Sequence, residues 1–380
     1  MQVKSQLNFF RNSLGSAPGF RAPSIEGAPS ATTRQELHAT TRLIHIYAIA
    51  SRLGFNGANE MVRHGLAYLN SHHLDSENGG YFWAIDAEEI ADDRKLAYGH
   101  VFVMLAAASA KLAGFVEADA LFDRICETLE QRFWDDQSGL FVDEWNRDWS
   151  ELSPYRGMNA NMHGVEALLA AFEATGDTVF LSRAGRILEF FIGKNAAANG
   201  WRIPEHYRSD WTINRNFQGD PMFQPAGTTP GHSFEMARLL LHHWDLSGRP
   251  KSNAVERARK LVDQALSDAW LNEGGLAYTL NYDGTVKNAI QLWWPITEAI
   301  SALSSLIKLT RDPEYEVWYR RLWCFADTKL IDHEFGGWLP EVASLNKSKQ
   351  AMFLGKPDIY HSFQACFLPL TKGVSRQMIE

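Results

Sequence analysis

The 380-residue chain is short of several things, and each shortage excludes a class of protein. Its three cysteines, Cys126, Cys324 and Cys366, are an odd number at no metal-type spacing. That argues against a disulfide framework and fits a reducing compartment. No run approaches the roughly 18 consecutive apolar residues of a membrane helix. The N-terminal sequence breaks its apolar patch after Phe10, so it lacks the hydrophobic region of a secretory signal. Lysine and arginine number 37 against 45 acidic residues, a net charge of −8, with no basic block. This balance argues against nucleic-acid binding and against attachment to anionic membranes. The expectation is a soluble cytoplasmic protein, monomer or homodimer. There is also no GxSxG elbow and no Gly-rich phosphate loop with its lysine, which leaves serine-hydrolase and P-loop chemistry unsupported.

What is present is a chain that is 45% hydrophobic, with 13 Trp, 11 Tyr and 22 Phe. That is enough apolar material for a large core, and flat indole faces also suit the axial C–H groups of sugars. A turn motif recurs: Gly79-Gly80-Tyr81-Phe82-Trp83, Gly139-Leu140-Phe141, Gly200-Trp201-Arg202, Gly274-Gly275-Leu276-Ala277-Tyr278 and Gly336-Gly337-Trp338. The first glycines are 60, 61, 74 and 62 residues apart. Glycine after a helical run supplies a left-handed cap, and the alternation that follows suits a short hairpin. Two kinds of helix alternate between these markers. Residues 254–269 put Val255, Ala258, Leu261, Val262, Ala265 and Ala269 on one face, as a surface helix does. Residues 99–114, 163–176 and 296–309 are apolar nearly all round, as enclosed helices are. One outer and one inner helix per roughly 60 residues makes six pairs, and neither end shows the polar capping repeat of an open solenoid. The predicted fold is all-α, an (α/α)6 barrel with short β-hairpins in the inter-helix loops. An irregular arm is expected over 1–32, with residues 14–31 rich in Gly, Pro, Ser and Ala, followed by a single catalytic barrel over 33–380.

Polar residues stand at the start of each inner helix: Arg42 and His45, Tyr98 and His100, Asn161 and His163, His232 and Glu235. The series continues with Trp293, Trp294 and Glu298, then Tyr360, His361 and Gln364. His100, His163, His232, Glu298 and His361 are separated by 63, 69, 66 and 63 residues, close to the repeat period. Matching points of successive repeats share one end of a ring, so these groups are expected around one concave mouth. A lone histidine at a helix start is more often a cap or a core group, and Arg42 alone would merely pair with a carboxylate. Five polar placements at one phase are harder to explain as packing. His232-x-x-Glu235 puts an imidazole and a carboxylate on one helix face, but nothing completes a ligand set, so no metal is assigned. Glu235 with Glu298 would be the carboxyl pair of a glycosidase. Histidines outnumber carboxylates at the mouth, which favours proton transfer, because an ordinary pKa of ~6.5 serves as base and then as acid.

These residues resemble the N-acylglucosamine 2-epimerase family, whose members have the (α/α)6 barrel. The resemblance runs from about Thr33 to Leu370 and rests on five short pieces in order. They are Thr41-Arg42 with His45, Asn159-Ala160-Asn161-Met162-His163 with Glu166, Pro230-Gly231-His232 with Glu235, Trp293-Trp294 with Glu298, and Lys356-Pro357-Asp358-Ile359-Tyr360-His361. It implies that His232 and His361 are the acid/base pair and that no cofactor is used. It further implies that Arg42, Tyr98, Asn161, His163, Glu235, Trp293, Trp294 and Glu298 hold the sugar and orient the histidines. The C2 proton of an open-chain aldose is acidic only because the carbonyl takes up charge, so a base must reach C2–H while donors face the developing oxyanion. Arg42 is a permanent cation suited to that, and Glu235, three residues from His232, is expected to fix its tautomer. His361 is read as the C2/C1 proton carrier and His232 as its partner at the oxygens or in ring opening; the reverse assignment stays open.

The NANMH and KPDIYH segments are most similar to the aldose–ketose isomerase branch, whereas the cellobiose 2-epimerase branch has a tryptophan where Ile359 stands. The implied reaction is D-mannose to D-fructose through a cis-enediol. A sulfosugar is disfavoured because Phe223-Gln224-Pro225-Ala226-Gly227 offers Gln224 but no arginine, although Lys347, Lys349 and Lys356 keep a sulfoquinovose isomerase in play. A 2-epimerase of N-acylglucosamine or cellobiose type is the nearest alternative. An (α/α)6 glycosidase and a non-catalytic sugar-binding protein are the others, the last opposed by the retained pair of histidines.

Overall fold

Segments that are apolar all round cannot face water, and segments with one apolar stripe cannot be enclosed, so the chain sorts itself into two nested layers. The computed structural model describes residues 2–15, 18–342, 353 and 355–375. Among these residues twelve α-helices follow in chain order. They are α1 (Gln2–Phe10), α2 (Leu37–Arg52), α3 (Ala58–Tyr68), α4 (Ala97–Leu112), α5 (Asp119–Thr128) and α6 (Met158–Thr175), then α7 (Thr178–Leu188), α8 (Pro230–Leu246), α9 (Ala254–Ala269), α10 (Trp293–Thr310), α11 (Pro313–Lys329) and α12 (Ile359–Phe367). The even-numbered helices form an inner ring in which each packs on the next and α12 packs on α2. The odd-numbered helices form the outer layer, six pairs in all, as the repeat predicts. Helix α9 coincides with the predicted surface helix, and α4 buries every residue from Gly99 to Ala110.

The N-terminal residues depart from the expected irregular arm, because Gln2–Phe10 is helical. Nine residues carry too little pattern to hold a helix alone; packing supplies what propensity does not. Leu7 and Phe10 are buried, the Tyr47 hydroxyl of α2 donates to the Leu7 carbonyl, and Ser362 of α12 donates to the Gln6 side chain. Helix α1 is thereby the outer partner of the last inner helix. The described part of 14–31 is irregular, as predicted, with isolated bridges at Leu14–Phe20 and Pro23–Pro29.

Strands among the described residues are two to four residues long. The glycine motif forms the predicted hairpin at four of its five places: Trp134–Asp135 pairs with Leu140–Phe141, and bridges join Leu74 to Tyr81, Trp270 to Leu276 and Ile331 to Trp338, whereas after Gly200 the chain runs on to His206–Tyr207, which pairs with Arg156–Gly157 instead. At Gly139 the backbone takes φ 72°, which a side chain would strain, and its N–H returns to the Asp135 carbonyl at 2.8 Å. Each turn reverses the chain as it leaves an outer helix, so the inner helices all begin at one end of the barrel.

Candidate active site

Because six inner helices begin at one end, their first turns decide the chemistry there. A cavity of about 550 Å³ opens among them, a size that takes a small ligand. Arg42, Tyr98, His163, His232, Glu235, Trp293, Trp294 and His361 all line it, at least one from every inner helix. Helix starts carry the positive ends of the backbone dipoles, so this floor favours negative charge.

His232 on α8 and His361 on α12 are built alike. Both rings have the Trp294 indole as neighbour, at 5.0 and 5.9 Å between ring centres. Each Nδ1 meets a buried carboxylate: His232 lies 2.9 Å from Oε2 of Glu205, and His361 lies 2.8 Å from Oε1 of Glu298. A carboxylate only accepts, so Nδ1 carries the proton and Nε2 is the basic nitrogen. The other oxygen of Glu205 accepts the Thr229 backbone N–H at 3.0 Å. Burial holds the His361 imidazole below its ordinary value, outweighing the hydrogen bond to Glu298, so the ring is neutral near pH 7. Gly231 admits the indole between the two histidines, since a Cβ there would collide with the Trp294 ring.

Arg42 faces this pair from α2. Its guanidinium lies between the rings of Phe102 and Tyr360, at 4.5 and 4.6 Å, and donates to Asp358 at 2.8 Å and to the Tyr98 hydroxyl at 2.9 Å. Burial pushes the Tyr98 hydroxyl up to about 12, so it stays a neutral donor. His163 is pushed down to about 3 by burial and stands 3.6 Å from Glu235.

Beneath the imidazoles, Glu166, Glu235 and Glu298 surround the fully buried Arg238 at 3.7, 3.4 and 3.1 Å. One guanidinium cannot neutralise three carboxylates. Burial would raise the Glu298 carboxyl, but Arg238 and the His361 hydrogen bond outweigh it and keep Glu298 ionised. Burial and the neighbouring Glu298 charge push Glu235 well above the usual carboxylate range. His163, Glu166 and Glu235 stand close enough together for a cation, as do Glu235, Glu298 and His361. The positive charge in their midst is the guanidinium of Arg238 itself.

The structure corrects several sequence-based expectations. Asn161 lies outside the cavity: its Oδ1 accepts the Phe141 N–H at 2.8 Å, and its Nδ2 donates to the carbonyls of Phe141 and Gly157. His100 does the same one repeat earlier, taking the Tyr81 N–H on Nε2 and placing Nδ1 on the Leu96 carbonyl. Both hold hairpins to inner helices. His45 sits deeper, with Nδ1 2.7 Å from the Ser109 hydroxyl. Glu298 stands behind His361 instead of at the mouth. Glu235 faces His163 and Arg238, and the role predicted for it toward His232 falls to Glu205. Lys356 is buried in an ion pair with Asp332, while Lys347 and Lys349 lie outside the described residues.

Other contributors went unread in the sequence. Glu205 sits in the loop before α8, where no helical spacing ties it to His232. His38 lines the cavity one turn before Arg42, stacked on Trp83 with 5.2 Å between centres. Phe223 packs edge-on to Trp83 and Tyr98, and its loop is held by the Tyr278 hydroxyl, which donates to the carbonyls of Pro221 and Met222.

A family model described as N-acylglucosamine 2-epimerase (GlcNAc 2-epimerase) matches residues 19–365. A protein of Thermobifida fusca named D-mannose isomerase is 40% identical over 355 residues, 91% of this chain and 87% of its own. One of the same name from Pseudomonas cannabina pv. alisalensis is 39% identical over 341 residues, 87% of this chain and 82% of its own. A crystal structure of a D-mannose isomerase superposes with a TM-score of 0.89 at 33% identity, over 97% of this chain and 96% of that one. With the barrel shared almost end to end and the family pattern running from the arm to the last inner helix, this chain belongs to the N-acylglucosamine 2-epimerase family.

Proposed function

We propose that the protein is a cofactor-independent aldose–ketose isomerase that converts D-mannose to D-fructose. One observation carries the chemistry: two imidazoles, each with Nδ1 on a carboxylate, flank one indole in a cavity of monosaccharide scale. The relatives named D-mannose isomerase supply the substrate.

Neutral His361 takes the C2 proton of the open-chain aldose on Nε2. The C2–H electrons become the C1=C2 bond and the carbonyl electrons move to O1, which gives the cis-enediolate. Nε2 of His232 takes the O2 proton and hands it to O1, and as C2=O forms the C1=C2 electrons take up the proton that the His361 imidazolium returns to C1. His232 serves the oxygens and ring opening. Arg42 and Tyr98 are donors for the developing enediolate, reinforced by the helix starts around it. Trp294 offers its flat face to the sugar's C–H groups.

Incubation with D-mannose in D₂O, followed by proton NMR, tests this. The expected outcome is D-fructose labelled at C1. A new aldose labelled at C2 would instead establish a 2-epimerase, and an unchanged sugar would sink D-mannose as the substrate.

A further inference from the structure

We infer that Arg238 is a positioning residue for the proton transfer, acting through Glu298 to set the basicity of His361. This rests on the assignment of His361 as the proton carrier.

A charged residue inside an enclosed helix is costly unless it is paired. Arg238 sits among buried apolar neighbours of α8, with its Nε and Nη2 each 3.1 Å from Oε2 of Glu298. The opposite oxygen of that carboxylate takes Nδ1 of His361. Arg238, Glu298 and His361 therefore form one line from the barrel interior to the cavity. Arg238 itself does not line the cavity.

The two histidine–carboxylate pairs look alike but differ in charge. Glu205 is held on its far oxygen by a neutral backbone N–H, that of Thr229. Glu298 is held there by a guanidinium. A lone carboxylate against an imidazole raises its basicity, and a cation on the far oxygen takes that effect back while keeping the carboxylate ionised. Arg238 thus does two things at once. It keeps Glu298 an acceptor, which fixes the proton on Nδ1 of His361, and it stops His361 from holding a second proton at neutral pH. Besides Glu298 on α10, the groups facing His361 are Arg42 and His38 on α2, His163 on α6, Glu235 on α8, which comes within 4.8 Å, and Asp358 at the start of α12. Arg42 is already matched by Asp358, so Arg238 is the cation that balances Glu298.

The test compares full-length wild type with Arg238→Met and Arg238→Lys, each labelled with ¹⁵N-histidine. The titration of His361 is read by NMR without substrate, and kcat and KM are followed against pH. In Arg238→Met the His361 titration is expected to move up by about one unit, a tenfold gain in proton affinity. The acid limb of kcat should move with it, so that kcat on that limb falls about tenfold with KM little changed. In Arg238→Lys, where the charge remains without the two-pronged contact, the shift should be smaller but present. An unmoved or lowered titration in a folded variant overturns the proposal. So does a lysine variant shifted as far as the methionine one, since charge would then be irrelevant. If Arg238→Met does not fold, the lysine variant decides alone, and an unshifted titration overturns the proposal. Because the titration needs no sugar, inactivity toward D-mannose would sink the substrate assignment and leave this measurement intact.

Discussion

Nδ1 of His232 is anchored by Glu205, 2.9 Å away, and not by Glu235, which stands one turn further along the same helix. Glu205 accepts from Thr229 N–H with one oxygen and faces the imidazole with the other. In Glu205→Gln the amide nitrogen would donate to Nδ1 and drive the proton onto Nε2, the wrong tautomer for a ring that must accept at the cavity. We expect kcat to fall about 10²-fold, near the lower end of what one acid/base group contributes, with KM and melting temperature little changed. Steady-state kinetics that match wild type would remove Glu205 from the mechanism.

His232→Ala and His361→Ala should each cost roughly 10²- to 10⁴-fold in kcat. Groups that act as a unit are non-additive, so the double variant should lose little beyond the worse single one. Circular dichroism should show the helical content of all three unchanged. Multiplicative losses would mean that the two rings serve separate steps.

Gly231→Ala tests the position of Trp294. The added methyl collides with the indole, which must swing toward the cavity or push α8 aside. Overpacking of this kind costs about 1–3 kcal/mol. A lowered melting temperature together with a raised KM for the sugar is the expected pair. A normal KM would show that the indole does not touch substrate.

Acid should destabilise the fold through histidines that the mechanism does not titrate. Burial holds His38, His100 and His163 down to about 3 and His73 to about 4. In the unfolded chain each takes a proton near ~6.5, so between these values the unfolded state binds more protons and stability falls with pH. Thermal melts should be flat above about pH 7 and decline steadily below it. His100→Gln, remote from the cavity, should flatten that decline. The acid limb of kcat/KM is a separate event, and it should lie below the ordinary histidine value because burial lowers His361. A limb above pH 7 would contradict the neutral resting state of that ring.

The barrel was legible because it is written in repeats: glycine turns at a near-constant interval and two kinds of helix between them. The site was legible only to the resolution of that period. Among the polar residues at the mouth, His38, Tyr98, Asn159 and Trp294 stand one position after the first residue of their helices, His232 and His361 two, and Arg42, His163 and Glu235 five, as does Glu298 behind His361. At about 100° per residue these offsets share an arc of about 100° that turns to the axis. His100 and Asn161 stand three positions in, about 100° beyond that arc, and so meet the hairpins. Chain spacing set the repeat but not the face. Glu205 lies in a loop, where no period applies, and Arg238 was marked only by being charged within an apolar helix. Helix α1 gave no signal of its own, because its stability comes from the neighbours it covers.

That α1 lies against α12, and α12 against α2, puts the seam of the ring beside half of the proposed proton machinery. His361 and Asp358 ride on the sixth inner helix, which is synthesised after the other five. Until it seats, Glu298 has no imidazole, Arg42 has no carboxylate, and a sugar meets an open cleft. Turnover is therefore a report on assembly: a copy that has not closed is inert, and damage confined to the seam should silence the enzyme while most of its helices remain folded.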